Sequence, residues 1–499
     1  MRNSFIHGLV GLFILLIQTS IISAATIAVN SDENIQADDG KCTLREAILA
    51  SNNDVVSGSM TGECAAGDSA SDLIEFSTLL IPAFIDVGLA VLPKVTESVS
   101  IVGPGLNDLV ILGNNNDAIF RSEARLSISG LSIQSGGGYG SGVRMEQGST
   151  LSLSECEFSG HTPADGGGVV HFLGLPETAF LTVNNCQFVG NNQTNGAGAA
   201  IYLSAQVGST SIDAQISASS FINNQTNGSG GAISVFNEFN SFTLLHIEDS
   251  QFIGNSANLN GGAIYTNRTG LTVVIERSSF IGNHATADGG ALYLANVSSV
   301  LLNSTIDGNS SGGNAGGVSL FAGSGDVSLI IHSTITANTA NTEDDNGKGG
   351  GLVALGNVNI RNSVIAQNEV EFGSESPDCF GSADSEGYNL IGDVVDCSLN
   401  SDPSDLLGDS SGSGVLDPML KPLANNGGLT LTRLPKTDSP LIDVIAVAAC
   451  TDHEDQALEL DQRSSLRPED GDDDGDFFCD IGAVEVVFDG DLIFQDGFE

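Results

Sequence analysis

The sequence predicts an all-β fold, a single right-handed parallel β-helix with an N-terminal cap and a C-terminal module, and three observations lead there. Two short phrases alternate between Phe188 and Asn368: Phe-x-x-Asn, at Phe188 to Asn191, Phe221 to Asn224, Phe252 to Asn255 and Phe280 to Asn283, and Gly-Gly-Ala-Ile/Leu, starting at Gly230, Gly261 and Gly289. An internal repeat of this period marks a solenoid. The step is uneven, 28 residues from Phe252 to Phe280, 26 from Phe280 to Ile306 and 29 from Ile306 to Ile335. Within each unit, apolar runs of about five residues are separated by Gly, Asn, Ser and Thr, whereas a helix-pair solenoid needs about 10 to 15 residues of 3.6-period pattern. Short strands joined by turns, coil upon coil, satisfy all three.

Residues 1–25 carry Arg2, an apolar run from Gly8 to Ile17 and the small residues Ser23, Ala24 and Ala25 before Thr26, the pattern of a cleaved secretory signal peptide. No second segment approaches the length of a membrane span. Residues 26–92 follow as an N-terminal capping region. Its best helix runs from Cys42 to Asn52: Thr43 can cap it, Glu46 stands three residues on, and Leu44, Ile48 and Leu49 form an apolar stripe. Arg45 and Glu46 read as surface or capping charges rather than as a catalytic pair.

Residues 93–395 form the β-helix. Phe158, Gly167-Gly168-Val169 and Gly198 to Ile201 open the array loosely, and Ile306 to Asn309, Gly316 to Val318, Ile335 to Asn338, Gly350 to Leu352 and Ile365 to Asn368 extend it. Stacked about 4.8 Å apart, roughly ten coils make a rod of about 50 Å. The Phe and Ile of each coil should stack on the copies before them. Glycine permits positive φ at the corners, and the Asn that ends each Phe-x-x-Asn is expected in a left-handed bend, bonded to neighbouring backbone. Residues 396–488 form the C-terminal module and 489–499 a tail.

The eight cysteines all follow the leader, and an even count suits an oxidising compartment. Proximity pairs Cys42 with Cys64, Cys379 with Cys397 and Cys450 with Cys479. Cys156 and Cys186 each stand two residues before their coil's Phe, on one face of adjacent strands, at the short end of the disulfide range. A bridge and a buried thiol pair are both open for them.

Lys and Arg number 16 against 62 Asp and Glu, a net charge of −46 that repels nucleic acid and anionic lipid. It keeps a long monomeric rod soluble, and cation binding is the sharper reading. With 40% apolar and only 16% charged residues, the chain is not disordered.

The two repeat phrases, over about residues 150 to 370, resemble those of chlamydial polymorphic outer-membrane proteins. Such proteins end in a membrane barrel of about a dozen strands, and the 17 residues after Gly482 are too few for one. A cell surface would then be reached by another route. The run Cys42-Thr-Leu-Arg-Glu-Ala resembles the CSLREA domain that opens many bacterial β-helix surface proteins, with Thr43 in place of Ser. Gly387 to Gly392, Pro422 to Gly428, Asp438 to Asp443, Asp461-Gln-Arg463, Arg467-Pro468 and Cys479 to Glu485 resemble, in that order, choice-of-anchor domain Q, which implies attachment at a cell surface. The last residues, Ile493 to Glu499, resemble Phe-containing tails of exported proteobacterial proteins, a candidate sorting signal. Together these resemblances imply a secreted, outer-surface protein of the pectin-lyase-like class.

That class also hosts polysaccharide lyases and glycoside hydrolases. Their motifs, an Arg or Lys base beside calcium-binding Asp, or Asn-Thr-Asp, Asp-Asp and Gly-His-Gly, are missing. The repeats offer isolated Arg144, Arg268, Arg277, Lys348 and Arg361, one acidic cluster at Glu343 to Asp345, and His161, His171, His246, His284 and His332 on separate coils. Tyr202, Tyr265 and Tyr293 hold one place after the Gly-Gly phrase, as a packing ladder or a binding stripe. Ser234, which interrupts them, favours packing. Carboxylates at Asp470, Asp472, Asp474 and Asp476 with Gly475 match the first half of a calcium loop, with Asp480 following; Ile481 stands where a bidentate Glu would close it. One structural calcium ion is one reading and a solvated acidic turn the other. The function expected is an adhesin or structural scaffold that takes a surface glycan or protein ligand, with no catalytic residue assigned; the alternative is a polysaccharide lyase or hydrolase whose cluster is assembled across coils.

Overall fold

The computed structural model describes residues 24–487, apart from 69–70, 89, 114–116, 139, 147–149, 165, 175–177, 206–210, 238–240, 342–346 and 373–376. The tail, the cluster at 343–345 and all of the leader but Ala24 and Ala25 lie outside the described residues. What is described is a parallel β-helix, as the repeats require. Every strand-to-strand ladder in it is parallel, residue pairing with its copy one coil on, as Phe188 with Phe221 and Phe221 with Phe252.

Each coil contributes strands to four columns. The first follows the Gly-Gly phrase, as in Ile233–Asn237, Ile264–Asn267 and Leu292–Ala295. The second holds longer strands with strict alternation, such as Thr178–Asn184, Ser211–Ser217 and Phe242–Glu248. The third carries the Phe, as in Gln187–Val189, Ser220–Ile222 and Gln251–Ile253, and the fourth is two residues wide. One apolar cluster runs inside, from Ile27 to Ala383.

Within it, Phe158, Phe188, Phe221, Phe252 and Phe280 stack with centroids 4.6 to 4.9 Å apart and planes within 7°. Ile306, Ile335 and Ile365 continue the column in register. The asparagines bond neighbouring backbone as expected, each Nδ2 donating to the carbonyl of the Phe or Ile one coil back, but they do not form the left-handed bend. The left-handed residue is the one before each Asn, as at Gly190, Gly254, Gly282 and Gly308. The Asn itself turns inward and forms a buried ladder: each Nδ2 donates to the next coil's Oδ1 from Asn191 through Asn224, Asn255, Asn283, Asn309 and Asn338 to Asn368, at 2.8 to 2.9 Å. The corner glycine frees the Asn from bending the chain and leaves its amide for cross-coil bonding. Asp378 ends the ladder as an acceptor for Asn368. Burial and the neighbouring Asp393 push its carboxyl up to about 7.

A serine ladder runs beside it at 219, 250, 278, 304, 333 and 363. Each Oγ donates to the carbonyl two residues back and accepts the N–H of the coil before, as at Ser250. Cys156 and Cys186 occupy the first two places of this series. Their Sγ atoms point at Ser154 O and Asn184 O, 3.3 and 3.4 Å away, and both remain buried thiols, not a disulfide. In-register side chains stand parallel about one rung apart, and each thiol has a carbonyl to bond where a bridge would need the two to converge. Disulfides join Cys42 to Cys64, Cys379 to Cys397 and Cys450 to Cys479, with Cα separations of 4.7, 5.3 and 6.2 Å.

At the N-terminal end, the helix Leu44–Asn53 packs on the first two strands through Leu44, Ala47 and Ile48, with Leu49 only half-buried. Glu46 is buried and closes a capping box with Thr43. Arg45 reaches across to Asn34 and the Val91 carbonyl. Both therefore hold backbone in place.

The C-terminal segment doubles back along the third column. It meets successive coils at Gln251 (to Leu429 O), Arg277 (from Thr430), Thr305 (to Gln462), Thr334 (from Ala483) and Asn362 (to Ala449 O). The strand residues beneath it change accordingly: Glu157, Gln187 and Gln251, facing outward on early coils, give way to fully covered Ser279, Thr305 and Val364.

Candidate functional site

Three places gather chemistry: an acidic turn, a groove beside the docked segment, and the outward side of the first column. In the acidic turn, Asp470, Asp472 and Asp474 accept N–H groups of their own loop, at Asp473, Asp474 and Asp476. The carboxylates that come within 4.8 Å of one another are Asp470, Asp472 and Asp443. Asp474 and Asp476 stand outside that group. Asp443 lies on a different stretch of chain, and burial with the nearby Asp472 and Asp470 charges raises its carboxyl to about 6. Oxygen-only donors of this kind suit a hard cation such as calcium.

Asp480 belongs elsewhere. It is buried, accepts the Asp443 N–H at 2.8 Å, and sits beside Glu485, whose Oε2 lies 3.1 Å from Arg467 Nε with both side chains fully enclosed. Burial, then the Glu485 charge, pushes Asp480 up to about 8. Arg467 bonds His332 on the rod, and Asp461 holds Arg463 and the Glu485 N–H. Burial and the charges of Arg467 and Arg361 keep His332 well below its usual range. The short motifs at 461–463, 467–468 and 479–485 thus converge into one buried polar network that fastens the segment to the rod.

The groove, of about 280 Å³, lies between Glu276, Arg277, Leu302 and Asn303 of the rod and residues 452–460 of the segment. Arg277 is gripped by Asp249 at 3.0 Å, by Glu248 and, at 3.8 Å, by Glu276. Arg361 is likewise held by Glu386 and Asp455. These clusters join coils and segments far apart in the chain, beyond the reach of linear motifs. Three carboxylates thus hold the Arg277 guanidinium, while burial lowers its pKa from the ordinary value.

The histidines are dispersed. His161 is enclosed, accepts the Gly136 N–H at Nδ1 and is lowered to about 4 by burial; His246 meets Gln215 and His284 meets Ser310.

The outward side of the first column is different in kind. Arg121, Arg144, His171, Tyr202, Ser234, Tyr265 and Tyr293 fall in one register row. Inward positions such as Ile264 and Leu292 are buried beside them, so the tyrosines face out and do not pack the core. His171 lies on Tyr202 at 5.2 Å, Tyr265 on Tyr293 at 5.5 Å, and Tyr293 on Phe321 at 5.6 Å. Phe236 sits two positions along from Ser234, under the Arg268 guanidinium at 4.7 Å, and Lys348 covers Phe380 at 4.8 Å. The nine strands from Phe120–Ser122 to Leu352–Leu355 contain no Asp or Glu. The adjoining column carries Asp213, Glu248 and Glu276. In so acidic a chain, this leaves one aromatic and basic strip. Acids at its edge are engaged: Asp117 pairs with Arg121 at 3.7 Å, Glu146 with Arg144 at 3.9 Å, and Asp288 accepts from Asn314 at 2.7 and 3.0 Å.

Residues 218–235, 249–267 and 277–295 match the profile of the Chlamydia polymorphic membrane protein repeat. No curated protein matches the chain. Among solved structures, the A-module of the mannuronan C-5 epimerase AlgE6 of Azotobacter vinelandii is 12% identical, with a TM-score of 0.26 over 70% of this chain and 92% of that one. The chain is a parallel β-helix carrying repeats of the chlamydial polymorphic membrane protein type.

Proposed function

We propose that this protein is an exported binding rod of the adhesin type, displayed outside the cell, that holds its ligand along the outward side of the first column. One observation carries the reading: an aromatic and basic row that excludes carboxylates across nine strands of a chain with 62 of them. A solubilising surface has no need of such a strip, whereas rings in a row give an extended ligand repeated stacking contacts. Three disulfides support an oxidising compartment, and the repeat type and leader support display at a cell surface.

A second reading has its own place, the groove at Arg277. With Arg277 held by carboxylates, the other titratable groups lining the groove are Glu276, Asp452, His453 and Glu459, which fit a hydrolase better than a lyase.

The test is a cell-surface and glycan binding array probed with the purified chain and with Tyr265→Ala/Tyr293→Ala. Binding that the double variant loses supports the face. Binding that it retains, or a blank array, overturns it.

A further inference from the structure

Ser234 stands between Tyr202 and Tyr265 and is almost fully covered, so the outward row lacks a ring for one coil. Beside Ser234, along the same two strands, lies a hollow of about 280 Å³ lined by Val235, Phe236, Tyr265, Asn267 and Arg268. Over one wall lies the Arg268 guanidinium, stacked on Phe236. Among the described residues, nine of the chain's 16 Lys and Arg pair with acids: Lys41, Lys94, Arg121, Arg144, Arg277, Arg361, Arg433, Arg463 and Arg467. Arg268, among the described residues, has a ring beneath it and no carboxylate partner.

We infer that this hollow is a subsite for an acidic sugar, a uronic-acid unit of an extended polysaccharide, with its carboxylate on Arg268 and its ring against Tyr265. The inference rests on the binding-face reading and names that face's ligand.

Stacking on Phe236 occupies one face of the guanidinium and leaves its donor edges free, and those edges match a carboxylate with two parallel hydrogen bonds. Tyr265 offers a flat apolar surface to a pyranose ring. Asn267 Oδ1 accepts from Asn296 Nδ2 at 2.9 Å, leaving the Asn267 Nδ2 as a donor for a hydroxyl. Beyond the hollow, Tyr293 and Phe321 continue the rings coil by coil, so the units on one side of the anchored sugar meet further stacking surfaces. A peptide carboxylate would satisfy Arg268 equally well, but it would not use a periodic row of rings. The chain's overall negative charge opposes a polyanion at long range. Across this strip the strands supply no acid of their own, and at about 0.1 M salt charges more than about 10 Å away are largely screened.

The experiment compares two probes on the purified full chain by titration calorimetry: hexameric oligogalacturonate and its fully methyl-esterified form, which keeps the rings and loses the charge. Arg268→Gln, Arg268→Lys and Tyr293→Ala are measured with each. The inference expects the acid to bind more tightly than the ester, and Arg268→Gln to weaken the acid by about 10- to 100-fold while leaving the ester unchanged. Arg268→Lys should fall between, because it keeps charge without the planar fork. Tyr293→Ala should weaken both probes alike. If Arg268→Gln leaves acid binding intact, or the ester binds as tightly as the acid, the subsite is overturned and the binding face stands. If neither probe binds while the array finds other ligands, the subsite is again overturned; if the array is also blank, both readings fall.

Discussion

Replacing Asn283 with alanine removes a middle member of the buried asparagine ladder, and the cost follows from the groups it serves. Its Oδ1 accepts the Asn255 N–H and the Asn255 Nδ2, both at 2.9 Å, and its Nδ2 donates to the Phe252 carbonyl and to Asn309 Oδ1, also at 2.9 Å. Asn309 Oδ1 keeps the residue-283 backbone N–H at 2.8 Å, and Asn255 Nδ2 keeps Phe221 O. The Asn255 N–H and the Phe252 carbonyl lose these partners in an enclosed site where water cannot replace them. Each buried polar group left unpaired costs about 1–3 kcal/mol, so the substitution should destabilise by about 3 to 5 kcal/mol. Urea unfolding followed by circular dichroism measures it as a lowered midpoint. Asn258→Ala is the control: Asn258 bonds Asn227 on the exposed side, and its loss should stay within about 0.5 kcal/mol. If Asn283→Ala also stays within about 1 kcal/mol of the parent, the claim that the ladder bonds carry stability is wrong.

Cys156 and Cys186 should react with a thiol reagent only after unfolding, giving two equivalents, because both are enclosed and the hydrogen bond with Cys156, then burial, raises the Cys186 thiol; no reaction in denaturant would mean that they are bridged. Gly262→Ala puts a Cβ 2.1 Å from Gly290 O and 2.6 Å from His284 O, so backbone must move, and a loss above about 3 kcal/mol is expected in the same unfolding assay. Asp480 holds its proton more tightly folded than unfolded, so its contribution to stability is present at low pH and is lost as pH rises toward about 8. His332, lowered by burial, contributes in the opposite sense, losing stability as pH falls below about 6.5. From about pH 6.5 to 8 the Asp480 effect is unopposed by His332, and Asp480→Asn should flatten the fall in melting temperature there. At the acidic turn, calcium is expected to bind at millimolar concentration through Asp443, Asp470 and Asp472, with Asp443→Asn abolishing the calorimetric heat; no heat from the parent chain removes the ion from the account.

The rod was legible because its repeat period and its Phe, Asn and Gly positions each answer to one geometric need. For Asn, the backbone bonding is legible and the inward ladder is not: a left-handed bend and an inward ladder both favour Asn, and the Gly before it in Phe188-Val-Gly-Asn191 is the discriminating signal. The capping box at Thr43 and Glu46 could be read because it is local. The docking of the C-terminal segment could not, since Thr305 meets Gln462 across 157 residues. Even so, the change along the third column from Glu157 and Gln187 to Ser279 and Thr305 was there to be noticed. Asp443 joins Asp470 and Asp472 from a separate stretch of chain, a juxtaposition that the spacing of the acidic run does not encode. Tyr202, Tyr265 and Tyr293 were visible as a series, but the absence of acids beside them emerges only when nine separated strands are aligned by register.

The most direct test of the account mixes the purified chain with each polysaccharide that it retains on the array and follows new reducing ends and unsaturated-product absorbance. Retention without product, abolished by Tyr265→Ala/Tyr293→Ala, is the predicted result. Product formation that survives the double variant and disappears with Glu276→Gln would contradict it and place the function in the Arg277 groove.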